Sequence, residues 1–314
     1  QECQRCHQPL LAHAGPKEPA VAEGVTCDVC HTMSEVEVEE HGSSFVLDVS
    51  TNVKYGPRCN LKRHYFHDMG CSPLHETAEQ CAACHNWYRD LKTGTMLPVF
   101  TTYPDWLAGP YPKEGKQCQS CHMPGTTAIL AEGSPERSDV PHHGQFGADG
   151  SLRKRAVQMS VEVRDAGARV QAAITLANVG SGHFVPAGLP ARRLVVRLDV
   201  LTTDGKQMAS DERAFGRVLN DSGGKVVPFF MASRVASDTR IGPRQERTSP
   251  ATLDAPGPGV LRVRLLWRPM AHAVAKLAKV PRLEDELLAE TTIPFGAPAS
   301  GGRKGLPHKV IDNQ

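Results

Sequence analysis

Four copies of one five-residue pattern constrain this chain more than anything else in it. "CQRCH" (3–7), "CDVCH" (27–31), "CAACH" (81–85) and "CQSCH" (118–122) take up eight of its ten cysteines. At this chain's Cys and His frequencies, chance would give about 0.01 copies of C-x-x-C-H, so the repetition is not accidental. The spacing keeps two thiols and an imidazole on one tight turn. It is the attachment signature of c-type haem, in which two thioethers form with the vinyl groups and the following His lies beneath the iron. Cys3, Cys6, Cys27, Cys30, Cys81, Cys84, Cys118 and Cys121 are therefore read as the thioether anchors. His7, His31, His85 and His122 are read as the proximal ligands of four covalently bound haem c groups. Zinc held by paired C-x-x-C units would leave the His after every second Cys unexplained. A redox dithiol calls for one C-x-x-C beside a βαβ pattern, not four in loops. Covalent attachment also implies a compartment outside the cytoplasm.

The composition agrees with a chain that borrows its core. Apolar residues make up 40% but aromatics only 5%, with 28 Gly and 24 Pro. A formal charge of +2 implies no nucleic-acid partner, and no run of 18 apolar residues is present to span a membrane. Residues 1–150 hold all four motifs and show little periodicity; "SSFVLDVST" (43–51) is one strand candidate. They are expected to form a haem-dominated, mostly irregular or α N-terminal domain, the haems supplying the missing core. Residues 156–295 alternate with period two. "AVQMSVEVRD" and "ARVQAAITLAN" flank "AG" as a hairpin, and Leu194, Val196, Leu198 and Val200 share one face. An antiparallel β-sandwich-like C-terminal domain is expected there, with one short helix at 270–280. The Gly/Pro-rich tail, 296–314, is expected to dock on a neighbouring subunit.

Four irons require sixth ligands unless one is left open for chemistry. Ten histidines lie outside the motifs, a surplus that favours His/His ligation over the available Met33, Met69, Met96 and Met123. Cys59 and Cys71 remain, twelve residues apart in a Gly/Pro-containing loop. Outside the cytoplasm a disulfide is the natural reading, with two unlinked thiols as the alternative.

On "EGVTCDVCHT", "CSPLHETAEQCAACHN", "EGKQCQSCHMP", "VPHHGQFG" and "NVGSGHFVPAGLPARRL", the chain resembles the extracytoplasmic multihaem c-type cytochromes of metal-reducing bacteria. It is most similar to tetrahaem members that pair a haem domain with a β-rich one, some of which polymerise into extracellular filaments, or nanowires. The resemblance implies His67, His75, His143 and His183 as distal ligands, with His142 and His13 as alternates. It implies extracellular electron transfer through closely spaced bis-His haems, at the cell surface or beyond, by a head-to-tail homopolymer and not an enzyme. The partners would be other copies of the chain, other cytochromes or extracellular electron acceptors. Two further readings stay open: a monomeric periplasmic shuttle, and a nitrogen- or sulfur-oxyanion reductase with one open haem.

Overall fold

The computed structural model describes residues 2–61, 63–130, 133–144 and 150–296. The tail expected to dock on a neighbour, 297–314, lies outside the described residues. The chain forms two compact units, residues 1–145 and 146–314.

In the first unit each motif occupies one helical turn: α1 (Glu2–His7), α3 (Cys27–His31), α4 (Glu79–His85) and α6 (Cys118–His122), with α2 (Pro19–Ala22) and α5 (Thr102–Leu107) between them. Eight strands run among these helices. β1 (Met33–Glu39) pairs with β2 (Gly42–Leu47), β5 (Trp87–Asp90) with β6 (Met96–Phe100), and β7 (Gly125–Ile129) with β8 (Glu136–Pro141), all antiparallel. β3 (Val53–Gly56) and β4 (Asp68–Cys71) are parallel. This corrects the expectation of a mostly irregular or α N-terminal domain: the unit carries four two-stranded sheets, and the described chain as a whole is mostly β. β2 overlaps the strand candidate 43–51; most of the others are only four to six residues long, and several carry Gly, Pro or Cys, as in "DMGC" and "MLPVF". So short a run shows no sustained alternation, and an isolated two-stranded pair is marginal without packing. Two small clusters supply that packing. Leu10, Val21, Val29, Met33, Leu47 and Ala83 form one; Ala78, Ala82, Tyr103 and Trp106 form the other.

The second unit has two main sheets. β9 (Val157–Asp165), β10 (Arg169–Asn178) and β15 (Glu246–Asp254) pair in the order β15-β10-β9. β11 (Arg193–Thr202), β12 (Gln207–Phe215), β16 (Gly259–Arg268) and β17 (Glu286–Phe295) pair in the order β12-β11-β16-β17. A hairpin of β13 (Arg217–Asn220) and β14 (Arg234–Asp238), together with α7 (Ser151–Ala156) and α8 (His272–Ala278), completes it. Gly167, at φ +72°, closes the turn between β9 and β10, a left-handed position that favours glycine. Residues of both sheets meet in one core, in which Leu176, Leu194, Leu198, Leu261 and Leu265 are fully buried. On the other face of β11, Asp199 is buried too. It accepts from Arg264 at 2.6 Å and Arg262 at 3.3 Å, so both charges on the neighbouring strand are matched.

Beside it, Glu212 accepts from Arg268 and Arg197, and Arg268 also forks onto Asp285 at 2.9 and 2.7 Å. The Arg268 hydrogen bonds, with Arg197 in support, hold the Glu212 carboxyl down at about 2 against an ordinary 4.5. A carboxylate depressed in the folded state stabilises above its unfolded value, and that contribution disappears as pH falls through the folded one. Urea denaturation should therefore show stability falling between pH 4.5 and about 2, with Glu212→Gln flattening that decline. Leu198→Ala, at a fully buried position, should cost about 2–5 kcal/mol in the same measurement.

Candidate haem-attachment site

In a helical turn, residues i, i+3 and i+4 share one face, so each C-x-x-C-H presents two sulfurs and an imidazole to one side. The x-x residues then face the protein or the solvent. In α4 they are Ala82 and Ala83, both buried, and α4 packs on the β1–β2 hairpin. Asn86, just beyond it, donates through Nδ2 to the carbonyls of Glu39 and Gly42, both at 2.8 Å, locking the end of the helix to the hairpin turn. Val29 of α3 is likewise buried. In α6 the x-x pair is polar and ties the motif down by hydrogen bonds. Ser120 and Gln117 form a reciprocal capping box, and Gln119 Nε2 donates to the carbonyls of Thr77 (2.7 Å) and His75 (3.3 Å).

The third motif is the hub. Its Cys84 thiol lies beside Cys6 of the first motif, and its Cys81 beside Cys118 of the fourth, close enough for each pair to interact. Cys30 of the second lies close enough to feel the charge of Cys81. The neighbouring Cys84 brings Cys6 down to about 7, while Cys84 itself is pushed up. None of the eight motif cysteines is in a disulfide. Among the described residues no group of three or more His, Cys, Asp or Glu side chains is arranged to hold a bare metal ion.

The histidines sort by tautomer, because a carbonyl oxygen can only accept. His31 Nδ1 donates to Tyr55 O at 2.6 Å and His143 Nδ1 to Pro141 O at 2.7 Å, leaving each lone pair on Nε2. His67 Nδ1 faces Asp68 O at 3.3 Å in the same sense. His142 is the opposite case: its Nδ1 accepts from the Gly144 amide at 2.8 Å. His75 Nε2 donates to Cys30 O at 2.9 Å, and its Nδ1 is buried with no hydrogen-bond partner. The His75 and His143 rings lie 5.6 and 6.1 Å from that of His31. The structure thus brings together the second motif and two of the histidines singled out in the sequence.

His67 sits apart from that group, in the loop between β3 and β4, with His64 at 4.8 Å and the exposed rings of Tyr65 (83%) and Phe66 (69%). A Cys59–Cys71 disulfide closes this loop, with a Cα–Cα distance of 4.5 Å. His13 is exposed beyond the 3-10 turn Pro9–Ala12 and is not among the His31 neighbours described here. In the second unit, His183 lies on the loop after β10. Buried Asn178 holds that loop by donating to the carbonyls of His183 (2.9 Å) and Ile241 (3.1 Å) and accepting from the Ser181 amide. His183 Nδ1 meets Phe184 O at 3.0 Å, which again places the lone pair on Nε2. Gly180 is required by close approach, since a Cβ there would lie 2.3 Å from the Arg155 carbonyl oxygen.

The donor set fits haem c: paired thiols and an imidazole on each of four helical turns, the His31 imidazole and candidate distal ones fixed by carbonyls, and, among the described residues, His75 Nδ1 buried without a hydrogen-bond partner. Together these features define a chain that presents several c-type haem-attachment motifs from one small unit. No protein-family model matches the sequence, and no curated protein matches it. Among solved structures, the chain is similar in fold to the penta-heme cytochrome c552 from Thermochromatium tepidum. The TM-score is 0.75 at 22% identity, over 94% of this chain and 84% of that one. A putative beta-galactosidase from Bacteroides fragilis overlaps 46% of this chain and 16% of its own, with a TM-score of 0.22 at 14% identity, too low to carry any argument. Among the described residues no helix is long and apolar enough to cross a membrane.

Thiol alkylation of the denatured, unreduced protein should label neither Cys59 nor Cys71, and reduction should expose both. Replacing the pair by Ala should lower stability by about 2–3 kcal/mol.

Proposed function

We propose that the chain is a multihaem c-type cytochrome that transfers electrons outside the cytoplasm through four covalently attached haems. The observation that carries this reading is the fourfold C-x-x-C-H pattern, each copy on one short helix of a single small unit, supported by the fold likeness to a penta-heme cytochrome. Bound haem iron supplies one-electron chemistry; the chain supplies ligands, spacing and burial. The eight motif cysteines anchor, and His7, His31, His85 and His122 ligate from the proximal side. The carbonyl of Tyr55 fixes the His31 tautomer and raises the basicity of the ligating nitrogen. For the distal side His67, His75, His143 and His183 are proposed. His143 is preferred to its neighbour His142, whose Nδ1 is engaged as an acceptor.

A finer reading is a head-to-tail filament of the extracellular kind, passing electrons to other cytochromes or to external acceptors. The exposed Cys3 and His7 of the first motif favour it, because a haem held there lies at the edge of the unit. A heterologous interface repeated without closure makes a fibre.

Intact-mass measurement should show four haem additions, and electron paramagnetic resonance of the oxidised protein should show only low-spin iron. His183→Ala should keep four haems and turn one high-spin. Fewer than four additions would refute the haem count, and high-spin iron in the unmodified protein would favour the reductase with an open haem. Monodisperse particles of about 36 kDa across concentration, by sedimentation and negative-stain microscopy, would refute the filament.

A further inference from the structure

The second unit holds a hollow that electron transfer does not use. It has a volume of about 140 Å³ and lies between α8, through Val274 and Ala278, and the segment leading into the turn Phe229–Met231. Leu219, Val227 and Val280 complete an almost wholly apolar lining. Arg193, the first residue of β11, is the charged residue in this lining, and it is only 6% exposed.

That guanidinium is held but not neutralised. Its Nη1 donates to Pro190 O at 2.6 Å and Arg192 O at 2.7 Å. Those two bonds use both Nη1 hydrogens, and among the described residues Nε and Nη2 have no acceptor. The charges that reach Arg193 are already committed: Asp238 pairs with Arg217 and Arg240, and Arg268, which repels it, pairs with Glu212 and Asp285. Burial, with Arg268 adding to it, brings Arg193 down to about 10. The side chain has been given room: a Cβ on Gly216 would lie 2.9 Å from its Cδ and Nη1. A buried cation without a counter-ion is unfavourable, and a planar guanidinium with free N–H groups matches a carboxylate fork. The apolar lining would take the rest of such a ligand, and a cavity of this size accepts a body as large as a benzene ring.

We propose that this hollow binds a small monocarboxylate with an apolar body, its carboxylate on Arg193 and its body against Phe229, Val274 and Ala278. Calorimetric titration of the intact protein with benzoate, and separately with the uncharged isostere benzamide, tests it. Benzoate should bind saturably and benzamide should bind at least about tenfold more weakly. Arg193→Met should weaken benzoate by about tenfold or more without changing benzamide, and Ala278→Phe, which fills the hollow, should abolish both. The proposal is overturned if benzoate shows no saturable binding up to about 10 mM, if benzamide binds as tightly, or if benzoate binding survives Ala278→Phe. Should Arg193→Met fail to fold, the benzoate–benzamide comparison on the unmodified protein and the Ala278→Phe variant decide the question without it.

Discussion

The packing of α4 against the β1–β2 hairpin is the contact on which the first unit depends. Ala82 and Ala83 are small enough for the helix to lie close on the hairpin, and Asn86 bolts its end to the turn. The motif's Cys84 packs against the first cluster and lies beside Cys6, and its Cys81 lies beside Cys118. A larger residue at either alanine would lift the helix from its seat and displace three motifs at once, because interiors are close-packed and transmit such changes. The second and fourth motifs are fastened by different means: a buried Val29 in α3, and at α6 Gln117 Oε1 accepting from the Ala78 amide and Gln119 Nε2 donating to the Thr77 carbonyl.

The two units answer the problem of stability differently. The second has one continuous core drawn from two sheets, and buried Asp199 and Arg268 are paired within it, Asp199 with Arg262 and Arg264, Arg268 with Glu212 and Asp285. The first has two small clusters and four short strand pairs. In the proposed holoprotein, bulky apolar groups bonded at eight points would turn those clusters into a core, so cofactor attachment and folding become one process.

What the sequence discloses follows from how local each constraint is. Thioether chemistry requires a fixed spacing, so the proposed anchors and proximal histidines stand out in the sequence. The long strands of the second unit can be read because Leu194, Val196, Leu198 and Val200 alternate against one core. Of the strands of the first unit β2 overlaps a legible run, 43–51, whereas four residues such as "VKYG" carry no period. The burial of Asp199 could not be read either, because its partners lie 63 and 65 residues further along the chain. His142 and His143 are indistinguishable as letters, and only the direction of one hydrogen bond at each separates them. One legible signal was overlooked: among the four motifs only the third has two small apolar residues between its cysteines, which marks the helix that faces inward.

The carbonyl that orients His31 belongs to Tyr55, in β3, and β3 runs beside β4 with Gly56 opposite Cys71. Cys71 is one end of the disulfide, so the crosslink braces the short ladder that presents this carbonyl. Opening it would free the loop and slacken the ladder, and with it the grip on the imidazole proton. In the proposed holoprotein, the thiol balance of the surroundings and the electron-donating strength of the His31 imidazole would thereby be joined through a single peptide oxygen, as a spring is joined to the needle of a gauge.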